Sequence, residues 1–238
     1  MVINLLSSPR NVSTALMYSF AQRNDTKVID EPYYSYYLKY SGADHPGREE
    51  IIESLPPSAN EVHNLILSEE SKSTHLFVKS MAHHMVGFDT TILEGFTNIF
   101  LIRNPHQLIA SFAKVIPNPT MTDIGLSRQV ELYETIESSH SKTPVVLDSG
   151  ELLKDPEKIL KSMCEAIEIL FDERMLQWPA GARAEDGVWA KYWYENVHKS
   201  TGFSTQKTSS RDLPDHCYAL YEEAKPYYQT LFQHAIKA

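Results

Sequence analysis

Apolar and polar positions follow two different rhythms along this chain. Five short, nearly unbroken apolar runs mark the first 150 residues, at 2–6, 27–30, 75–82, 98–103 and 144–148. Runs of this length, bounded by turn residues, suit strands buried on both faces of a parallel sheet. Between them apolar residues recur at helical spacing over 12–23, over 49–70 with an interruption at LPPSAN, over 105–115 and over 123–139. Strands that alternate with helices imply βαβ units and right-handed crossovers. Beyond residue 155 the rhythm is helical. Residues 156–171 carry Ile159, Leu160, Met163, Ala166, Ile167 and Leu170 at helical spacing, and residues 212–237 read as a terminal helix pair broken or kinked at Pro226. The expected fold is α/β, three layers α/β/α around a central parallel sheet. We expect one domain over 1–238, with the sheet core in about 1–150 and a helical part in about 151–238.

Charge narrows the partners. The formal net charge of −9 argues against broad affinity for nucleic acid or an anionic membrane, while leaving room for a local cationic pocket. No apolar run approaches the roughly 20 residues of a spanning helix, and the N-terminus lacks a signal-peptide pattern, so a cytoplasmic protein is expected. Cys164 and Cys217 stand far apart in helical patterns and read as buried thiols. His83 and His84 are adjacent, which does not match the i, i+4 spacing of a helical metal site, and no metal is expected.

In such sheets ligands bind beyond the carboxyl ends of the strands, so the segments that follow each run matter most. The first is SSPRNVST: a polar loop that leads into a helix start, where free backbone N–H groups and the helix dipole favour an anion. Arg10 adds a full charge, and Ser13 and Thr14 add hydroxyls. Residues 1–20 contain no glycine, so the usual glycine-rich phosphate loop is absent. The second is IRNPHQLIASF, where Arg103 ends a strand, Pro105 suits the first helical position and Ser111 follows about two turns later. Arg103 suits a bidentate grip on an oxyanion, or alternatively a structural pairing with a carboxylate.

SSPRNVSTAL and IRNPHQLIASF, about ninety residues apart, resemble the two nucleotide-binding motifs of the P-loop sulfotransferases. GVWAKYWYENVHKSTGF, DEPYYSYYL and VLDSGELLKDPEKIL extend the resemblance over nearly the whole chain, toward a bacterial and plant branch of sulfotransferase-like proteins. The resemblance implies a fold like that of the P-loop nucleoside triphosphate hydrolases. It also implies transfer of a sulfuryl group from 3′-phosphoadenosine 5′-phosphosulfate (PAPS) to a hydroxyl or amine of a small acceptor. On that pattern Ser8, Pro9, Arg10, Asn11, Val12, Ser13 and Thr14 surround the 5′-phosphosulfate, and Arg103 with Ser111 holds the 3′-phosphate. Ser200, Thr201 and Gly202 fall in a loop that closes over the nucleotide. The chain departs from typical cytosolic members, which carry lysine at the place of Arg10, glycine at Val12 and an adenine-stacking tryptophan at Ala15. Trp189, Trp193 or Phe203 would then have to stack on adenine. The usual catalytic histidine follows a strand lysine by two residues, and here Met81 follows Lys79.

Three residues compete for the base. Strand alternation gives His83 the parity of Lys79, His84 is its neighbour, and Glu31 sits at a strand end in DEP. Lys79 and Arg10 could both neutralise the bridging oxygen, although a lysine that ends a strand is commonly just solvated. Tyr33, Tyr36, Tyr37 and Tyr40 could line one helical face, either over an acceptor pocket or simply packed inside. Two other readings stay open: a nucleotide kinase or hydrolase, and a nucleotide-binding module without turnover. The small-molecule acceptor is not specified by these residues, and a homo-oligomer is compatible with them.

Overall fold

The computed structural model describes residues 1–139, 142–204 and 212–238. Its five strands are β1 (Val2–Ser7), β2 (Thr26–Asp30), β3 (His75–Met81), β4 (Thr97–Ile102) and β5 (Val145–Asp148). They form one parallel sheet in the order β2-β3-β1-β4-β5, as the five apolar runs predict. The helices are α1 (Ser13–Phe20), α2 (Tyr34–Ser41), α3 (Arg48–Ser54), α4 (Ala59–Glu70), α5 (Pro105–Phe112) and α6 (Met121–Ile124). They continue with α7 (Leu126–Ser138), α8 (Ser149–Lys154), α9 (Pro156–Ala166), α10 (Ala190–Trp193), α11 (Glu195–His198) and α12 (Tyr218–Phe232).

Period-two alternation splits the core in two. Val2 and Leu6 face one side with Val78, Phe100 and Val146, covered by α4, α7 and the end of α12. Ile3 and Leu5 face the other side with Phe77, Ile99 and Leu147, covered by α1 and α9. This is the expected three-layer arrangement. The one polar residue inside the first run, Asn4, is buried without penalty because its amide is matched. Asn4 Nδ2 donates to Asn98 Oδ1 at 2.9 Å, Ser80 Oγ donates to Asn4 Oδ1 at 3.0 Å, and Asn98 Nδ2 donates to the Leu93 carbonyl at 2.7 Å.

Several boundaries differ from the sequence pattern. The helix expected over 123–139 is two helices, because Gly125 adopts φ 68° and ends α6, whose first turn is closed by a Thr120/Asp123 capping box. The pattern over 156–171 stops at Ala166, and Glu168 turns the chain at φ 60°. The expected terminal helix pair is one continuous helix, α12, with Pro226 inside it. Leu220, Ala224 and Leu231 are buried on both sides of the proline, while Pro226 and Glu222 are exposed, so the carbonyl freed by the missing N–H faces water.

The crevice follows from the strand order. β1 is central, with β3 and β2 to one side and β4 and β5 to the other, so the chain leaves β1 and β4 in diverging directions. The loops after these two strands therefore open beside each other.

Candidate active site

The loop after β1 is held from within and from β4. Asn11 Nδ2 donates to the Leu101 carbonyl at 3.1 Å and to Ser8 Oγ at 3.3 Å, while its Oδ1 accepts from the Val12 N–H at 2.9 Å. Gln129 Nε2 laces the same strand ends through the Leu6 and Leu101 carbonyls, at 2.9 and 3.1 Å. Arg10 takes a left-handed conformation, φ 54°, a strained backbone for a residue with a Cβ. Its guanidinium Nε donates to Ser111 Oγ at 3.3 Å, and Arg103 donates to the Arg10 carbonyl. α1 begins at Ser13 with Val12 as N-cap and no side-chain cap, which leaves its first-turn N–H groups to other acceptors.

A buried ionic cluster lies at the ends of β2 and β3. Lys79 is 1% exposed, contrary to the solvated strand-end lysine that sequence allows. Its Nζ donates to Asp30 Oδ1 at 2.9 Å, to Glu31 Oε1 at 2.5 Å and to Tyr194 Oη at 2.6 Å. Tyr194 Oη also accepts from Trp189 Nε1 at 3.0 Å and donates to the Asp30 carboxylate, 2.7 Å from Oδ2. The Gly187 N–H donates to the same oxygen at 3.2 Å. Here glycine is required, since a Cβ would fall 2.2 Å from the Trp189 ring. Burial raises the Glu31 carboxyl above its ordinary value, and the Asp30 charge adds to this against the pull of Lys79. Burial alone would lower Lys79, but Asp30 and Glu31 together outweigh it and raise it.

The histidines sit beyond the strand rather than on it. β3 ends at Met81, and residues 82–84 form a single 3₁₀ turn, so the parity argument for His83 fails. Both rings are buried. His84 is stacked between Tyr34 and Tyr37, with centroids 4.7 and 4.6 Å away, and His83 lies edge-on to Tyr37. Neither Nδ1 has a hydrogen-bond partner. Burial lowers His83 to about 3 and takes His84 well below the ordinary histidine value.

These parts meet in a cavity of about 860 Å³. Pro9, Arg10, Asn11, Val12, Ser13 and Thr14 line it, as do Glu31, Lys79, His83, His84, Arg103 and Ser111. The late segment brings Ser200, Gly202, Trp193 and Phe203 to the same wall. Three expected positions lie elsewhere. Ser8 is buried beneath the loop as a partner of Asn11, and Thr201 is exposed, its carbonyl accepting from the Trp178 N–H at 3.1 Å. Trp189 is 1% exposed and packs under Tyr194, so it offers no face for adenine. Of the tyrosines, Tyr33 and Tyr37 are buried and Tyr40 is 61% exposed, while Tyr34 reaches the cavity. Sequence reasoning passed over Asp30, Tyr34, His45, Lys154 and Tyr194. Lys154 follows from the end of β5 by the same strand-end rule, whereas the partnership of Tyr194 with Lys79 spans 115 residues and leaves no local pattern. Among the described residues, the charged ones on the wall are four cations, Arg10, Lys79, Arg103 and Lys154, and one carboxylate, Glu31.

An uncapped helix start and a loop at a parallel-sheet switch point, with cations from two strand ends, form an arrangement suited to an anion. A family model described as a sulfotransferase domain matches residues 1–235, and the chain belongs to that family of transferases. Branched-chain-amino-acid aminotransferase-like proteins 1 and 2 of Arabidopsis thaliana are 38% and 37% identical over 234 residues, or 98% of this chain. The chain spans 42% of the length of each of these relatives. Among solved structures, the sulfotransferase domain of the Synechococcus PCC 7002 olefin synthase has a TM-score of 0.57 at 19% identity, covering 93% of each chain. The sulfotransferase domain of the curacin biosynthetic pathway has a TM-score of 0.54 at 16% identity, covering 94% of this chain and 96% of that one. This likeness is one of fold. No helix among the described residues is long and apolar enough to cross a membrane.

Proposed function

We propose that the cavity binds PAPS and transfers its sulfuryl group to a hydroxyl or amine of a small acceptor. The observation that carries this reading is the charge of the wall. In a chain of net charge −9, four cations and one carboxylate among the described residues face one cavity, beside an uncapped helix start. Such a wall suits a ligand with several anionic groups. Arg10 and the first turn of α1 would meet the 5′-phosphosulfate, and Arg103 with Ser111 the 3′-phosphate. Trp193 and Phe203, two aromatic residues of the late segment on the wall, are the candidates for the adenine face. The donor supplies an activated sulfur whose departing oxygen stays on phosphate.

Glu31 is our choice for the base. A base that works near neutrality needs a conjugate acid of similar pKa, and burial makes the His83 imidazolium far too acidic. His84 has both ring faces covered by tyrosines. Glu31 lines the cavity, its carboxyl is raised above the ordinary carboxylate value, and it touches the buried ammonium of Lys79. His83 and His84 then serve as neutral walls around the acceptor. The acceptor O–H or N–H proton goes to Glu31, and the new bond to sulfur forms as the bond to the phosphate oxygen breaks. Lys79 and Arg10 meet the charge left on that oxygen.

Calorimetry tests the reading. Adenosine 3′,5′-bisphosphate (PAP) should bind more tightly than AMP and than ATP with magnesium. Preference for ATP with magnesium, or no nucleotide binding, would leave the fold and remove the donor assignment.

A further inference from the structure

Lys79 has no hydrogen left to give. An ammonium carries three N–H donors, and here they are taken by Asp30, Glu31 and Tyr194 at 2.9, 2.5 and 2.6 Å. Yet Lys79 lines the cavity in which a departing phosphate would need it. For Lys79 to reach a ligand, one partner must let go.

The three partners are not held equally. Asp30 is fixed by Tyr194 Oη and the Gly187 N–H and is absent from the cavity wall. Tyr194 Oη is fixed by Trp189 Nε1 on one side and by Asp30 on the other. The Glu31 carboxylate has Lys79 as its one close partner, the Tyr194 hydroxyl being 3.4 Å away, and it lies on the wall. Its backbone sits at φ 38°, pinned by its N–H to the Lys79 carbonyl at 2.8 Å, so main chain and side chain of the two residues are joined twice.

Resting on the PAPS reading, we propose that Glu31 and Lys79 act as a coupled pair, in which arrival of the acceptor proton on Glu31 frees one Lys79 N–H for the leaving phosphate. The O–H or N–H bond of the acceptor breaks and its proton bonds to a Glu31 carboxylate oxygen. The contact with Lys79 thereby loses the attraction between two opposite charges and keeps only that between an ammonium and a neutral acid, so it weakens. Asp30 and Tyr194 keep their two N–H groups, so the released donor is the one on the cavity side. It meets the phosphate oxygen that keeps the electron pair of the broken S–O bond. The groups facing Glu31 from neighbouring elements are Lys79, Asp30, Tyr194 and Tyr34, and none of the others opens toward the cavity through a titrating carboxylate. One consequence is selectivity against water: until a bound acceptor delivers its proton, the leaving group lacks the Lys79 contact.

The test uses PAP binding by calorimetry to the wild type, to Glu31→Gln, to Lys79→Met and to the double variant. Glutamine imitates the protonated acid, so Glu31→Gln should bind PAP about tenfold more tightly than wild type, and the gain should vanish in the Lys79→Met background. Adenosine 3′-phosphate, which lacks the departing phosphate, should show no gain. A gain that persists without Lys79 is plain removal of a negative charge and overturns the coupling, as does Glu31→Gln binding no more tightly than wild type. A wild type that binds no PAP overturns the donor assignment and the coupling with it. If Lys79→Met does not fold, Lys79→Gln, which retains donors for Asp30, takes its place in the cycle.

Discussion

The guanidinium of Arg103 donates to the main-chain carbonyl of Arg10, 93 residues earlier in the chain. One cation thus holds the backbone of the other, and the strained φ 54° at Arg10 lies under that contact. The two strand ends form one unit: Arg103 grips the loop, Arg10 reaches across to Ser111, and both guanidinium groups line the cavity. A loop without glycine keeps its shape through these cross-contacts and the Asn11 hydrogen bonds.

Arg103→Ala should therefore weaken PAP binding twice over, through the lost charge and through a loosened Arg10 loop. Loss of one buried, charge-assisted contact corresponds to about 1.5–3 kcal/mol, or one to two powers of ten in Kd. The selectivity for PAP over AMP should fall by a similar factor, because AMP lacks the 3′-phosphate. Calorimetry with both nucleotides reads both effects; an unchanged ratio would place the 3′-phosphate elsewhere.

Much of this architecture is legible in the chain. The five apolar runs mark the five strands because parallel strands buried on both faces carry few polar residues, and the buried Asn4, Ser80 and Asn98 are tolerated because they hydrogen-bond one another. The cationic loop ends are legible because Arg10 and Arg103 stand just beyond strands. The buried cluster around Lys79 is less so. Lys79 looks like a solvated strand end until Tyr194, from a short helical segment far along the chain, folds over it. His83 and His84 look like bases because sequence carries no burial, and burial is what removes their basicity.

Tyr194→Phe should separate the positioning of Lys79 from the fold. It removes one hydroxyl and leaves the Lys79 and Trp189 donors and one Asp30 oxygen short of a partner. We expect a loss of about 2–3 kcal/mol in stability by urea unfolding, since unpaired buried polar groups cost about 1–3 kcal/mol each and relaxation recovers part. With folded protein, kcat should fall at least tenfold while Kd for PAP changes little. A parallel loss of PAP affinity would mean that Tyr194 belongs to the nucleotide site.

Asp30→Asn should shift the acid limb of the pH–rate profile downward. Glu31 must be ionised to accept a proton, so activity rises with pH through its titration. Burial and the Asp30 charge hold that titration above the ordinary carboxylate value of 4.5. Removing the Asp30 charge removes one of the two causes and leaves burial. The measurement is kcat/KM against pH for both proteins; an acid limb that does not move would assign it to another group.

Acid stability should report the buried histidines. In the fold His83 and His84 are held neutral by burial, His83 down to about 3, whereas an unfolded chain takes up a proton below about 6.5. Between those values the unfolded state binds more protons, so the contribution is complete above pH 6.5 and is lost as the pH falls through the folded values. For His83 alone the full loss amounts to at most about 5 kcal/mol. Glu31 contributes in the opposite sense, because its raised value favours the folded state at low pH, and the net slope in a single protein mixes the two. His84→Phe separates them: phenylalanine fits between Tyr34 and Tyr37 and discards a ring nitrogen that has no hydrogen-bond partner. Urea midpoints at pH 7.5, 6.0 and 5.0 should fall less steeply for the variant than for wild type, with the same unfolding slope. Equal steepness would mean that His84 is already protonated within the fold, and the neutral wall proposed for the acceptor would then carry a positive charge.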